Sequence, residues 1–298
     1  LYAGVTDAAA LAHLRGHQHG PHAKVEFIPP LMLEGDQGQI TDIGLLKDAG
    51  AVAFGNGGPM TRNNQILHRC LSYAKDFDTL ICLQPLDPDL GAGDMHQGAM
   101  ATKLGLQGIP VLAETLELQR LLALIDDLGV RAHIDLISAR ESLAILSNYK
   151  DVSVSASIHH LLMNEYDVGQ YRTFTKMNPP LRCEDDRQAL IDAVKTRTIQ
   201  AVVSAHHPLG EAEKRVPFSE AEPGASGFGV LLAGMLQMVH EERLSLCEAL
   251  FPVTAGPASI LNLPRGQLKK GAPADLLMID LDAPWKVGAT PSDHAGEN

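Results

Sequence analysis

The sequence predicts an α/β fold in one large domain, with parallel strands joined by crossover helices. Short β-branched runs alternate from residue 24 onward with longer segments of helical period, the pattern of repeated strand–helix units. The 298 residues, 45% of them hydrophobic, suffice for a single core of the size that α/β barrels commonly use.

A helical segment at 8–15 opens the chain and runs into a His-rich patch. Candidate strands follow at 24–28, 51–54, 80–83, 131–136, 152–156 and 200–204, with helices at 64–75, 112–128, 140–149 and 185–195 between them. Thr41 precedes an apolar-periodic segment that ends at Gly50, which fits an N-cap and a glycine just past a helix end. Glu114 and Glu117 read as a solvated helix face, and the acidic residues from Asp185 to Asp192 as the start of a helix whose first turn favours carboxylates. A Pro/Gly-rich stretch at 208–229 is longer than an ordinary connection, and such loops in compact domains are usually functional. Helices at 230–242 and 244–250 come next. The run 274–280 reads as a strand outside the main series.

A formal net charge of −12 opposes a phosphate backbone, and no Lys/Arg stripe reverses it locally, so nucleic acid is not the expected partner. Cys70, Cys82, Cys183 and Cys247 form no C-x-x-C pair and read as buried small hydrophobes in a reducing compartment. No apolar run has bilayer-spanning length, and the N-terminal residues lack the pattern of a secretory leader. A cytoplasmic protein without a membrane partner is the expectation.

Several segments together resemble the dihydroorotase branch of the cyclic amidohydrolase superfamily. Lys176-Met177-Asn178-Pro179-Pro180-Leu181-Arg182 matches its K-x-N-P-P-L-R signature. Glu213-Lys214, Pro217-Phe218 and Pro223-Gly224-Ala225-Ser226-Gly227 resemble the loop that covers its site. Gly105 to Pro110 and Gly271 to Leu276 fit two further phrases. The resemblance implies an amidohydrolase-type (β/α)8 TIM barrel over 1–262 and part of a small β-subdomain over 263–298. It also implies that a first strand with an H-x-H-x-R motif precedes Leu1 and that a subdomain strand follows Asn298.

In this family a metal-bound hydroxide attacks a ring amide and an Asp moves the proton, so ligand identity decides activity. The positions that the resemblance assigns to that chemistry are altered here. Asn56 stands for a carboxylate ligand, Gln84 and Leu136 for two His ligands, and Ala205 for the catalytic Asp. Amide, aliphatic and methyl groups do not hold zinc usefully. The expectation is therefore no catalytic residue, metal or cofactor. Asn178, Arg182 and His206 are the remnant of a substrate pocket, in which Arg182 could still grip a carboxylate.

His17 and His19, with His13 and His22, have ligand-like spacing but follow a helical segment beside glycines, which favours a loop. His159 and His160 favour packing, and His133 lies three residues from Leu136, on the other side of a strand. The non-catalytic branch of the family implies a scaffold that binds the catalytic subunit of aspartate transcarbamoylase, with homo-oligomerisation expected. The alternatives are an active zinc-dependent dihydroorotase that interconverts carbamoyl-aspartate and dihydroorotate, and a barrel that senses a metabolite through Arg182.

Overall fold

The computed structural model describes residues 4–16, 25–32, 39–56, 58 and 60–283. His17, His19 and His22 lie outside these. Helix α1 (Ala8–Gly16) starts where the Asp7 carboxylate accepts from Ala9 N and Ala10 N at 3.1 and 3.3 Å. Helix α2 (Ile43–Asp48) is capped by Asp42, which accepts from Leu45 N at 3.1 Å. This corrects the assignment of the cap to Thr41, whose hydroxyl instead donates to the carbonyls of Pro30 and Leu31. Gly50 follows the helix at φ +99°, as expected of a residue past a helix end.

In α3 (Asn64–Asp76) the buried Leu67, Cys70, Leu71 and Ala74 repeat at helical spacing and face the core. Strand β1 (Ile81–Leu83) then leads into a short parallel pair, β2 (Met95–His96) and β3 (Gly108–Ile109), with α4 (Ala99–Leu104) between. The sequence reading did not foresee this pair. The regular alternation resumes with α5 (Leu112–Leu128), β4 (Ala132–Ile134), α6 (Arg140–Leu146), β5 (Ser153–Ser157), α7 (Ile158–Leu162), α8 (Glu184–Lys195) and β6 (Ala201–Val203). The Pro/Gly-rich stretch contains a short helix, α9 (Glu211–Lys214), and is followed by α10 (Phe228–His240), α11 (Leu246–Leu250) and α12 (Ala255–Ile260).

The main sheet is parallel throughout, in the order β1-β4-β5-β6. Two of the expected strands continue it as extended segments. Phe54 N donates to Leu80 O at 2.9 Å and Cys82 N to Phe54 O at 2.8 Å, while Val52 N reaches Phe27 O at 3.2 Å. All six expected strand positions therefore lie side by side, with Lys24 outside the described residues.

Strand alternation gives the sheet two chemically different faces. Ile81, Leu83, Ile134, Val154, Ala156 and Val202 join the main hydrophobic core with residues of α3, α5, α8 and α10. The opposite face carries His133, Asp135, Ser153 and Ser155. His133 Nδ1 lies 2.8 Å from Ser153 Oγ, and the Ser155 hydroxyl donates to Asp135.

Three expectations are corrected by burial. Glu114 and Glu117 do not form a solvated face: they are 1% and 5% exposed. Glu117 pairs with Arg120, and Glu114 caps a neighbouring helix, as described below. Residues 274–280 form no strand, and Leu276, Leu277 and Met278 are 73%, 73% and 98% exposed; among the described residues no strand lies beside them to complete a ladder. Of the four free cysteines, Cys70 and Cys82 are buried, whereas Cys183 is half-buried and Cys247 exposed. Among the described residues no helix is long and apolar enough to cross a membrane.

Candidate functional site

Parallel strands end on one side of the sheet, and the loops there are where barrels of this kind build their sites. Asn56 follows the segment at 51–55, Gln84 follows β1, Leu136 lies just beyond β4, and Ala205 and His206 lie just beyond β6. Leu136 and Ala205 sit at φ +58° and +43°, so the backbone leaves the strand direction at both. The structure thus brings Asn56, Gln84, Leu136, Ala205 and His206 to the same side of the sheet.

What these positions offer is chemically thin. Asn56 Oδ1 accepts from Leu31 N at 3.0 Å and Met32 N at 3.5 Å, which engages the oxygen that would otherwise face a ligand. Gln84 is buried, Leu136 is half-buried and aliphatic, and Ala205 presents a methyl group. Among the described residues no group of three His, Cys, Asp or Glu side chains gathers at these strand ends. A zinc ion of the kind the resemblance implies for an active relative does not fit this donor set.

The loop at 223–227 lies against the end of β6. His207 N donates to Ala225 O at 2.9 Å, and His206 Nδ1 accepts from Gly227 N at 3.0 Å while its ring stacks on Phe228 at 4.1 Å. Gly227 permits the approach, because a Cβ there would lie 1.9 Å from Ser204 O. His206 is thereby held by the covering loop.

The K-x-N-P-P-L-R segment is placed differently from a pocket remnant. Asn178 is exposed and precedes the cis Asn178–Pro179 bond. Arg182 is 3% exposed and faces protein groups: Nε donates to Ser138 Oγ at 3.0 Å, and Nη1 to Ile109 O at 2.9 Å and His96 Nδ1 at 3.3 Å. The Glu114 carboxylate stands 3.7 Å from Nη2. A buried guanidinium must find such partners, and burial pulls its pKa below the ordinary value against the opposing pull of Glu114. Arg182 thus directs Nε and Nη1 to protein groups, while Nη2 is buried without a hydrogen-bond partner, 3.7 Å from Glu114.

Glu114 and Asp186 are the residues that sequence reasoning undervalued. Glu114 accepts from Ser138 N, Ser138 Oγ, Ala139 N and Ser142 Oγ, and Asp186 Oδ1 accepts from Arg140 N at 3.0 Å. Helix α6 has no side-chain cap of its own at Ala139, so carboxylates from α5 and α8 satisfy its first amides. Nearby, burial holds the His96 imidazole below its usual pKa, and burial together with Asp186 raises the Glu165 carboxyl.

His160 gives the site a pH dependence. Its Nε2 donates to Pro179 O at 3.0 Å and Pro180 O at 3.3 Å, so Nδ1 is the unprotonated nitrogen, and it is buried without a partner. Burial, with His159 beside it, pushes the imidazole down to about 4. The unfolded chain takes up a proton near pH 6.5 and the folded one does not, so stability falls as pH drops from about 7 towards 4. By pH 5 this single group should cost about 2 kcal/mol. Urea unfolding of the wild type and His160→Gln at pH 7 and pH 5 checks it: the variant should lose less stability by about that amount. Equal losses would show that the wild-type imidazole protonates in place.

Comparison with known proteins adds the following. A family model described as "Dihydro-orotase-like" matches residues 18–142. The "Dihydroorotase-like protein" of Pseudomonas putida is 38% identical over 271 residues, covering 89% of this chain and 63% of that protein. That of Pseudomonas aeruginosa is 35% identical over 284 residues, covering 93% and 67%. The "Dihydroorotase" of Ehrlichia canis is 34% identical over 254 residues, covering 83% and 57%. The chain thus spans roughly three-fifths to two-thirds of the length of these relatives. Among solved structures, an L-hydantoinase (dihydropyrimidinase) from Arthrobacter aurescens superposes with a TM-score of 0.75 at 22% identity, covering 94% of this chain and 66% of that one. Dihydroorotase from Saccharomyces cerevisiae superposes with a TM-score of 0.67 at 14% identity, covering 87% and 73%. The fold is that of the amidohydrolase (β/α)8 barrels, to which the described residues contribute the six parallel strand positions.

Proposed function

The chain belongs to the dihydroorotase-like family, and from that premise we propose that it is a non-catalytic, cytoplasmic member serving as a structural subunit for the catalytic subunit of aspartate transcarbamoylase. One observation carries the first half of the reading. The strand-end positions Asn56, Gln84, Leu136 and Ala205 offer neither a metal-ligand set nor a proton carrier, although the fold that carries them superposes on that of the hydantoinase and dihydroorotase barrels. Binding a partner enzyme of the same pathway is the role the family resemblance implies for such a barrel.

Gel filtration of the transcarbamoylase with and without this protein tests the assembly role. The two should co-elute earlier than either alone, as a complex that also contains more than one copy of this chain. Unchanged elution together with unchanged transcarbamoylase activity would rule the assembly out. The competing reading, an active zinc-dependent dihydroorotase, draws support from the 34% identity to the Ehrlichia canis protein of that name. Turnover separates the two.

A further inference from the structure

Outside the altered strand-end positions, a group of three donors comes together from two parts of the chain. His96 in β2, Cys183 at the N-cap of α8 and Asp186 in the first turn of α8 each present one nitrogen, sulfur or oxygen atom, all within 4.8 Å of one another. Local geometry explains one of these contacts: the Cys183 thiol donates to Asp186 Oδ2 at 3.0 Å across the first helical turn. It does not explain His96, which arrives from a separate element.

A fourth side chain points to what the group is for. Glu165 N donates to Arg182 O at 2.8 Å, which sets Glu165 alongside Cys183. Its side chain belongs to a residue only 7% exposed, and Oε2 is buried with no hydrogen-bond partner. That oxygen and the His96 ring border one gap, since a methyl group on Gly98 would lie 3.4 Å from Glu165 Oε2 and 3.9 Å from His96 Nε2. A buried carboxylate oxygen without a donor is costly, and a cation held by the three neighbouring donors would offset its charge.

We propose that His96, Cys183 and Asp186 form a site for a zinc-like divalent cation, distinct from the altered positions Asn56, Gln84, Leu136 and Ala205, with Glu165 as an outer carboxylate on the Nε2 side of the His96 ring. One nitrogen, one sulfur and one carboxylate oxygen suit zinc or cobalt, with solvent in the fourth position; magnesium and calcium prefer oxygen alone. On binding, the Cys183 proton passes to solvent and the thiolate ligates the metal. Arg182 has only donors, so its 3.3 Å contact with His96 Nδ1 uses the imidazole lone pair. A cation that takes this lone pair displaces the longest of the Arg182 hydrogen bonds and leaves those to Ser138 and Ile109 in place. The bound ion would tie β2 to α8.

Cobalt titration of the metal-free protein tests this without reference to activity. Thiolate ligation should produce a near-ultraviolet charge-transfer band that saturates at one equivalent. The band should vanish in Cys183→Ser and survive in Cys247→Ser, which alters the exposed cysteine. Serine is a favourable N-cap, so Cys183→Ser keeps the helix start. Glu165→Gln should weaken cobalt binding about tenfold or more. Cobalt held by the histidines near the N-terminus would give no thiolate band. Absence of the band, or a band that persists in Cys183→Ser, overturns the proposal.

Discussion

Replacing Glu114 with Ala is expected to lower the unfolding free energy by about 3–5 kcal/mol, the usual consequence of removing one partner of a buried charged pair. The carboxylate is 1% exposed and serves two purposes. It accepts from the first amides of α6 and from two serine hydroxyls, and it stands 3.7 Å from the Arg182 guanidinium. Without it, Arg182 loses its ion-pair partner and keeps only the weaker pull of Asp186 and Glu141, and Ser138 N and Ala139 N lose their acceptor while Asp186 still holds Arg140 N. Urea unfolding reads the loss directly. Adding Arg182→Met to Glu114→Ala should restore part of it, because the uncompensated charge goes too. A single-variant loss under about 1 kcal/mol would mean that the network contributes little.

Lys176→Met should cost about 3 kcal/mol for a related reason. Lys176 Nζ donates to Asp94 Oδ1 at 3.1 Å, Phe218 O at 2.9 Å and Ser219 O at 3.1 Å. The ammonium also lies 5.5 Å from the centre of the Phe218 ring. It therefore fastens the covering stretch at 217–219 to the K-x-N-P-P-L-R segment. The neighbouring Lys214 donates to Thr173 O and Glu222 O, and burial followed by the charge of Lys176 lowers it to about 8. Loss of Lys176 should thus loosen the whole covering loop, and limited proteolysis should cut near 217–222 faster than in the wild type. An unchanged melting temperature together with unchanged cleavage would show that the loop is held elsewhere.

The strand positions were legible because their runs are short, rich in apolar and β-branched residues and separated by helical segments, and the sheet sets them side by side. The polar face opposite the core has a signature in the sequence. Ser153, Ser155 and Ser157 alternate with Val154 and Ala156, a period-two signal that assigns the serines to one face. Other features depend on contacts between distant segments, which periodicity does not encode. Glu114 has the spacing of a surface residue, yet a helix start one element away lacks a cap and draws it in. Asp186 was explained by its own helix, whereas its oxygens serve α6 and Cys183. Arg182 carries a family motif, and a motif gives residue identity without saying which way a guanidinium faces. The run 274–280 has the composition of a strand, but a strand exists only where a neighbour pairs with it.

The central claim is that the strand-end positions support no metal-dependent turnover. The most direct test is cyclisation of carbamoyl-aspartate by the purified protein, assayed with added zinc and again after chelation. Because a cation bound by Cys183 would register in elemental analysis whatever the barrel mouth does, the rate is the measurement that decides. The rate should equal that of a protein-free control under both conditions. Zinc-dependent turnover that chelation abolishes and Cys183→Ser leaves intact would contradict the account.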